Sequence, residues 1–356
     1  MKFKVNSQKF KDLVKTFALI LSPECDIFIQ AKADDFISLE SGGRGIYIKG
    51  LLEAQVTEHG EASVGCDRWA NMRLAKGQDL SIIASGKELK FSCGTLQGKM
   101  MCKPTEEDIT NMRPVMEFKA KVRIAADHLR HAVGRSTFVG ALPTSKNGVR
   151  IQASDKLRVS TTDQYRATLF REDLAFRPEE DLDVVINPGF IQTALSRIKA
   201  PEVYMGVHRG TMQIGSEVLS IYYPSLQEAP QDIEGWIDNG IDPKERSCQI
   251  KTTAEDFIRV IDEASSIRAG ALGFDIHIDI LVKEGKLISR VSTAQGDALS
   301  SIKLLESDTD KHVTKLSSRY MLEMLNLLKK GPITVGFWDK FLTITALEGT
   351  YTSVVP

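Results

Sequence analysis

The stretch MKFKVNSQKFKDLVKTF at residues 1–17 decides the fold, because its polarity period changes partway along. Phe3 and Val5 alternate with lysines, as in a strand that is buried on one side only. Apolar residues then recur every three or four positions, beginning with Phe10 and Leu13, and this spacing predicts an amphipathic helix. The chain therefore opens with a strand that leads directly into a helix.

The same strand-then-helix pattern returns twice. Val122 and Ile124 precede a helical pattern that contains Leu129, and Ile250 precedes one that contains Phe257. Each repeat also carries a second helical pattern, near residues 68–74, 190–195 and 320–328. The candidate N-caps of these second helices are Asp67, Asn187 and either Ser317 or Ser318.

Three repeats predict three domains, at residues 1–117, 118–243 and 244–356. The two boundaries lie where charged residues, glycine and proline interrupt the periodic pattern. Alternating segments follow each second helix and predict hairpins. We therefore expect an α+β fold in which each domain packs two helices on antiparallel sheet.

Composition excludes several classes of protein. Among 356 residues, 46 Lys and Arg balance 47 Asp and Glu for a net charge of -1, so the chain is not a general polycation. No apolar run is long enough for a membrane helix and the start lacks a signal peptide, so we expect a cytoplasmic protein with no membrane partner. Five cysteines without C-x-x-C spacing indicate neither a disulfide framework nor a zinc site.

Two sets of residues resemble metal ligands. Asp275, His277 and Asp279 alternate on one face of a predicted strand, and His128 and His131 lie one helical turn apart. The first set favours a solvated sheet face, because same-face residues are almost 7 Å apart along a strand. The second set lacks a third ligand. We predict no metal.

Catalytic motifs are not supported either. The glycine-containing segments at 42–45 and 85–88 lack the spacing and the Ser or Thr of a phosphate-binding loop. We therefore predict no cofactor and no enzymatic activity.

One motif resembles a known family. Asn147 and Gly148 precede a strand, and a second strand runs into the segment TTDQYRA at 161–167. The helix that begins near Tyr320 and the final YTSVVP at 351–356 extend the likeness to the end of the chain. In sequence, repeat number and repeat size, the chain resembles the bacterial sliding clamp, the beta subunit of DNA polymerase III.

The resemblance implies a DNA sliding clamp, a processivity factor without catalytic activity. Two copies would form a head-to-tail ring that encircles duplex DNA without reading its sequence and tethers the replicative DNA polymerase. An ATP-dependent clamp loader would open the ring. The alternative is a monomeric clamp-like adaptor that binds replication or transcription factors without encircling DNA.

The resemblance also places a groove for partner peptides between the second and third domains. Its residues would be Thr162, Gln164, Tyr165, Arg166, Ala167, Pro230, Phe341, Thr343, Val354, Val355 and Pro356. Without the resemblance, Asp163 and Arg166 equally predict a turn at a strand end that an ion pair stabilises.

Helix faces carry spaced basic residues that could meet DNA phosphates. Taken alone, each is a solvated helix face, and the DNA-facing interpretation depends on their recurrence on equivalent helices. The candidates are Lys11, Lys15, Arg68, Arg73, Arg130, His131, Arg135, Arg197, Lys199 and Arg319.

The dimer contact should pair a first-domain edge near Lys99 and Met101 with a third-domain edge near Ile267 and Leu272. Glu234 and Gly235 depart from the basic and apolar residues usual in the family. The segment 22–29 is also shorter than usual, and the usual tail does not follow residue 356. These departures favour a divergent or virus-encoded member.

Overall fold

The computed structural model describes most of the chain. The described residues are 1–103, 113, 122–136, 148–163, 166–174, 178, 180–226, 232–266, 277–293, 296–346, 349 and 351–355. The helices are α1 (Ser7–Ile20), α2 (Cys66–Asn71), α3 (Ala126–Ser136), α4 (Pro188–Arg197), α5 (Ile233–Gly240), α6 (Ala254–Ser265) and α7 (Ser318–Leu328). A short 3-10 turn covers Pro243–Glu245.

Strands make up most of the remaining regular structure. In the first part of the chain they are β1 (Lys2–Asn6), β2 (Asp26–Ala31), β3 (Phe36–Gly43), β4 (Ile46–Glu58), β5 (Gly60–Gly65), β6 (Asp79–Ser85), β7 (Glu88–Cys93), β8 (Leu96–Met101) and β9 (Val122–Ala125). The middle part contains β10 (Val149–Ala153), β11 (Lys156–Thr162), β12 (Ala167–Asp173), β13 (Leu182–Ile186), β14 (Glu202–His208), β15 (Thr211–Gly215) and β16 (Leu219–Pro224). The last part contains β17 (Cys248–Thr253), β18 (His277–Lys283), β19 (Lys286–Thr293), β20 (Gly296–Lys303), β21 (Glu306–Ser307), β22 (Lys311–Ser317), β23 (Pro332–Phe337), β24 (Leu342–Ala346) and β25 (Tyr351–Val355).

Two compact units divide the chain. Unit 1 contains Met1–Arg130, Pro178–Val184 and Gly189–Ser225. Unit 2 contains His131–Arg177, Val185–Pro188 and Leu226–Pro356. The described helices and antiparallel strands confirm the α+β class, whereas the division into three domains stays a prediction.

The opening strand and helix form as the sequence predicts. Asn6 caps α1, because its side-chain oxygen accepts hydrogen bonds from the backbone N–H groups of Gln8 and Lys9 at 3.1 and 3.0 Å. The apolar stripe of α1, which includes Phe10 and Phe17, is buried. The helix therefore lies with its apolar face on the sheet of unit 1.

Helix α2 differs from the prediction in both its start and its end. Gly65 occupies the N-cap position, and Asp67 lies in the first turn instead of capping the helix. The helix ends at Asn71, so Arg73 lies beyond it. The predicted N-cap at Asp67 was wrong, because the strand before the helix continues to Gly65. By contrast, one of the two candidate serines, Ser317, caps α7 by accepting a hydrogen bond from the Tyr320 N–H, and Ser318 is the first residue of the helix.

The sheet of unit 1 joins distant parts of the chain. Its main path runs β8-β7-β6-β1-β4-β16-β15-β14-β9. Strands β4 and β16 pair antiparallel, with Gly50 opposite Leu219. A Cβ at Gly50 would lie 2.5 Å from Cδ2 of Leu13 on α1, so glycine allows the helix to approach the sheet closely at this point.

Unit 2 contains a second sheet, which likewise pairs strands from distant parts of the chain. Its path includes β10-β11-β12-β25-β24-β23-β17-β21. Here β12 pairs antiparallel with β25, and Ala167 lies opposite Val354. A further sheet runs β20-β19-β18-β22, and its buried residues share one core with Phe257 of α6 and Met321 of α7. Alternation along β18 buries Ile278 and Ile280 and leaves His277 exposed.

No helix among the described residues has the length and apolar character that a membrane crossing requires.

Candidate functional site

Arg166 lies at the centre of a bonded cluster at the start of β12. Its Nε donates to the Asp163 carboxylate at 3.0 Å, its Nη1 donates to Glu323 of α7, and its guanidinium lies 4.6 Å from the centroid of the Tyr320 ring. The backbone N–H of Arg166 also donates to Asp163, at 2.8 Å. The structure thus contains the strand-end turn and ion pair that the sequence left open as an alternative.

Burial makes these bonds necessary. Only 3% of the Arg166 side chain is exposed, and an unpaired charge there would be costly. Burial by itself would lower the pKa of Arg166, but Asp163 and Glu323 favour the charged form and raise that pKa above its ordinary value. The guanidinium is therefore a fixed cation that positions the end of β11 and the start of β12.

Several predicted groove residues lie side by side. Thr162 is paired with Ala167, Ala167 with Val354, and Val354 with Thr343, so these four form a row across β11, β12, β25 and β24. Thr162 is partly exposed and the other three are buried. Val355 is fully buried in the core of unit 2, so it supports this row from within.

An aromatic cluster lies beside this row, and the sequence did not point to most of it. Phe341 stacks on Trp338, with ring centroids 5.2 Å apart and planes 13° from parallel. Trp236 of α5 is 6.2 Å from Phe341 and remains 43% exposed. Ile233 of α5 packs against Ala167, which brings the helix next to the row. An exposed tryptophan on a short amphipathic helix was the signal that could have identified this element.

The two residues that depart from the family pattern have local roles. Glu234 pairs with Arg158 at 2.8 Å and with Arg171 at 3.6 Å, and so links α5 to β11 and β12. The Gly235 N–H donates to the Asp232 carboxylate at 2.9 Å, and a Cβ at Gly235 would collide with that carboxylate. Both residues thus stabilise the position of α5 in this chain.

Six predicted site residues lie outside the described part of the structure. They are Gln164, Tyr165, Pro230, Ile267, Leu272 and Pro356. Their roles in the groove and in the dimer contact stay predictions.

Two of the predicted DNA-facing residues are bonded to backbone carbonyls. Lys11 donates to the carbonyl of Met72 at 2.6 Å. Arg130 donates to the carbonyl of Leu195 at 3.1 Å and also to that of Ile198, at the C-terminal end of α4. A guanidinium there satisfies carbonyls that the helix leaves unpaired. Arg130 therefore has a structural role that the sequence did not reveal.

The remaining candidates of unit 1 are more accessible. Lys15, Arg68 and Arg73 are exposed and have no ion pair among the described residues. Arg197 and Lys199 line the same cavity as Lys15, so the structure brings these three together although they lie far apart in sequence. Phosphate contacts require such clustered cations.

The candidates of unit 2 have neighbours of their own. Arg135 donates through Nε to Nε2 of His131 at 3.0 Å. Arg319 pairs with Glu323 at 3.0 Å, the same carboxylate that Arg166 contacts. Arg319 thus shares its partner with the buried cluster.

The predicted first-domain edge is an end strand. Among the described strands, β8 pairs with β7 and terminates the path of its sheet. Met101 on β8 is 62% exposed, and Lys99 pairs with Glu88 at 3.2 Å. An end strand with an exposed apolar side chain can pair with a further strand.

Within the described ranges, no group of three or more His, Cys, Asp or Glu side chains is arranged to hold a metal ion.

Solved structures define the class of fold. The whole chain superimposes on bacterial DNA polymerase sliding clamps, so its fold is that of a sliding clamp. More particularly, it is the fold of the DNA polymerase III beta subunit. No family model matches the sequence, and no curated protein matches it either.

Three solved structures illustrate the likeness. The beta subunit from Streptococcus pyogenes has a TM-score of 0.85 at 13% identity, covering 100% of this chain and 99% of that one. The sliding clamp from Bacillus subtilis has a TM-score of 0.84 at 15% identity, covering 100% and 98%. A putative beta subunit from Eubacterium rectale has a TM-score of 0.84 at 14% identity, again covering 100% and 98%. At such identities the likeness establishes the fold.

Proposed function

We propose that this chain is a sliding clamp, a non-enzymatic processivity factor of DNA replication. Two copies would assemble head to tail as a ring around duplex DNA, and each copy would contribute three domains, at residues 1–117, 118–243 and 244–356. The observation that carries the proposal is the full-length likeness to sliding clamps, with 98% or more of those chains covered. The ring would act in the cytoplasm.

Electrostatics support a role on DNA. The net charge of -1 argues against tight binding to any polyanion, whereas Lys15, Arg68, Arg73 and Arg197 provide local positive charge on or beside helices of unit 1. Contacts of this kind touch phosphates and carry no sequence information. A ring that holds DNA by topology needs only weak, uniform attraction of this type.

Partners would bind through the candidate groove. We infer that a short peptide of the replicative polymerase lies along the row of Thr162, Ala167, Val354 and Thr343, with the aromatic cluster of Phe341 and Trp236 at one side. Apolar floors with a few polar groups suit such peptides. A separate ATP-dependent loader would open the ring.

Retention on circular DNA tests the proposal. After loading, the protein should persist on a nicked circle and dissociate when that circle is linearised, because only topology holds it. Sedimentation should show a dimer before loading. A protein that is monomeric and equally retained on both forms would instead be an adaptor, and the clamp proposal would be wrong.

Charge removal in unit 1 sharpens this test. The test variant neutralises three exposed cations and the partly exposed Arg197 together: Lys15→Gln, Arg68→Gln, Arg73→Gln and Arg197→Gln. Its affinity for a free duplex should fall alike for all sequences, and the slope of log affinity against log salt should decrease by up to about 0.9 per lost contact. The control removes as much charge from turns and strands: Lys32→Gln, Lys87→Gln, Lys286→Gln and Lys311→Gln. Equal losses of duplex affinity in the two variants would show that these helices are not part of the DNA interface.

A further inference from the structure

Unit 1 contains a cavity of about 360 Å³, and its lining includes three of the predicted DNA-facing residues, Lys15, Arg197 and Lys199. Its walls come from α1, β4, the segment that follows α4 and the turn that precedes β16. Elements from distant parts of the sequence thus enclose one space. The volume lies at the lower end of the range, roughly 300–1,000 Å³, that is usual for small-molecule sites.

The floor of the cavity is apolar. Leu13, Leu51, Ile198, Val218 and Leu219 all line it. A backbone hydrogen bond of 2.8 Å from the Leu51 N–H to the Val218 carbonyl fixes the turn beside β4. Val218 is 58% exposed, so the apolar floor of the cavity remains partly open to solvent.

The rim of the cavity is positively charged. Four basic side chains, Lys9, Lys15, Arg197 and Lys199, line it together with two acidic ones, Asp12 and Glu53. Two of the basic groups are neutralised locally, because Lys9 pairs with Glu53 at 2.9 Å and Lys199 with Asp12 at 3.5 Å. An excess of two positive charges remains.

The unpaired cations are Lys15 and Arg197. Among the described residues neither has an ion-pair partner, and the Arg197 Nε is a buried donor without a hydrogen bond. A buried donor without a partner is energetically unfavourable. An anion that reached the guanidinium would supply the missing acceptor.

We propose that this cavity binds a small amphipathic anion, a free fatty acid or a molecule of the same chemistry. Its apolar body would lie on Leu13, Ile198 and Val218, and its carboxylate would face Lys15 and Arg197. The apolar floor accounts for the body, the excess positive charge for the carboxylate, and the modest volume for the size. The proposal does not rest on the clamp function, since it concerns unit 1 alone.

Titration of the full chain with monomeric decanoate tests the site. Calorimetry should show saturable binding of one decanoate per chain. Decanol, which has the same body without the charge, should bind about tenfold more weakly, because a charge-assisted contact contributes on the order of 1.4 kcal/mol or more. Equal affinities for the two probes would overturn the proposal.

Two variants separate charge from shape. Arg197→Gln should weaken decanoate binding about tenfold while leaving decanol binding unchanged. Ala200→Phe places a large side chain in the cavity, which Ala200 lines, and should abolish the binding of both probes. The matched control is Lys32→Gln, which removes an exposed charge from the turn between β2 and β3, and it should bind both probes like the unmodified protein.

Thermal denaturation identifies any variant that has lost its fold. If Ala200→Phe is unstable, Arg197→Gln, a change at a partly exposed side chain, decides whether the cavity binds the anion. Wild-type affinity in Arg197→Gln, or no saturable decanoate binding at all, would show that the cavity is not an anion site. A decanoate-soaked crystal provides a direct check, with the carboxylate expected within hydrogen-bond distance of Lys15 or Arg197.

Discussion

Each unit contains a strand pair that connects distant parts of the sequence, and this pair is here called its join. The two joins have the same antiparallel backbone pairing but differ in the side chains that surround them. In unit 1, β4 pairs with β16, and in unit 2, β12 pairs with β25. Beside the first join lies a cavity with an apolar floor and two cations that have no ion pair within the described part of the chain, whereas beside the second a buried arginine is bonded to two carboxylates. The same strand pairing can therefore lie beside an open cavity in one unit and beside a buried ion-pair cluster in the other.

The contrast has an energetic meaning. At the join of unit 2, much of the stability should depend on one residue, because removing one partner of a buried ion pair leaves the others uncompensated. At the join of unit 1, stability should depend on apolar packing between α1 and the sheet, which is spread over many residues. Substitutions at the two joins should differ accordingly.

The largest effect is expected from Arg166→Ala. Losing the buried guanidinium leaves Asp163 and Glu323 without their shared cation, and the free energy of unfolding should fall by about 3–5 kcal/mol in urea denaturation. The control is Arg319→Ala, which removes an arginine 60% exposed from the same Glu323 and should cost at most about 1 kcal/mol. Similar losses for the two variants would contradict the assignment of a buried, rigid cluster.

A smaller effect is expected from Gly50→Ala in unit 1. The new Cβ would lie 2.5 Å from Cδ2 of Leu13, so α1 or the Leu13 side chain must shift. Overpacking of this kind costs typically about 1–3 kcal/mol, and the lower half of that range is expected because Leu13 borders the cavity. Gly43→Ala, where no atom lies within 4 Å of the new Cβ, is the control and should leave the urea midpoint almost unchanged. If both substitutions were neutral, α1 would not be closely packed on the sheet.

The smallest effect is expected in the reactivity of two cysteine thiols, and it involves no change in the stability of the fold. The neighbouring Cys66 thiol lowers the pKa of Cys25 below its ordinary value, whereas burial raises the pKa of Cys248 in unit 2 to about 12. Because the thiolate is the reactive form, alkylation of Cys25 by iodoacetamide should reach half of its maximum rate at a lower pH than that of an ordinary cysteine thiol. Mass spectrometry should find Cys248 unmodified over the same range, and equal labelling of the two would disprove the difference.

Local patterns predicted the parts of the fold that local forces determine. The strand and helix at the start of the chain follow from the change of period, and one of the two serines predicted to cap α7, Ser317, does so. The cap at Asn6 was not predicted. Asp67 was assigned wrongly, because a good capping residue within the first turn of the helix looks the same in sequence as the cap itself. Element boundaries depend on where the preceding strand stops, and tertiary pairing decides that.

The residues of the candidate groove could be predicted only from the resemblance to sliding clamps. The residues around the groove were identified only by the structure. The row from Thr162 to Thr343 depends on strands that lie almost two hundred positions apart in sequence, so no local pattern contains it. Trp236 and Trp338 join it for the same reason. The cavity of unit 1 could not be predicted at all, because an empty space has no sequence signature.

The pairing of β4 with β16 also implies that the covalent connection is not what holds these two parts of unit 1 together. Their backbones share a ladder from Gly50 opposite Leu219 to Tyr47 opposite Tyr222, and those two tyrosine rings lie 5.6 Å apart. A chain cut between β8 and β9 would therefore retain the hydrogen-bonded pairing of β4 with β16. The molecule is thus suited to reconstitution from two separately produced fragments, with sheet completion as the recognition event.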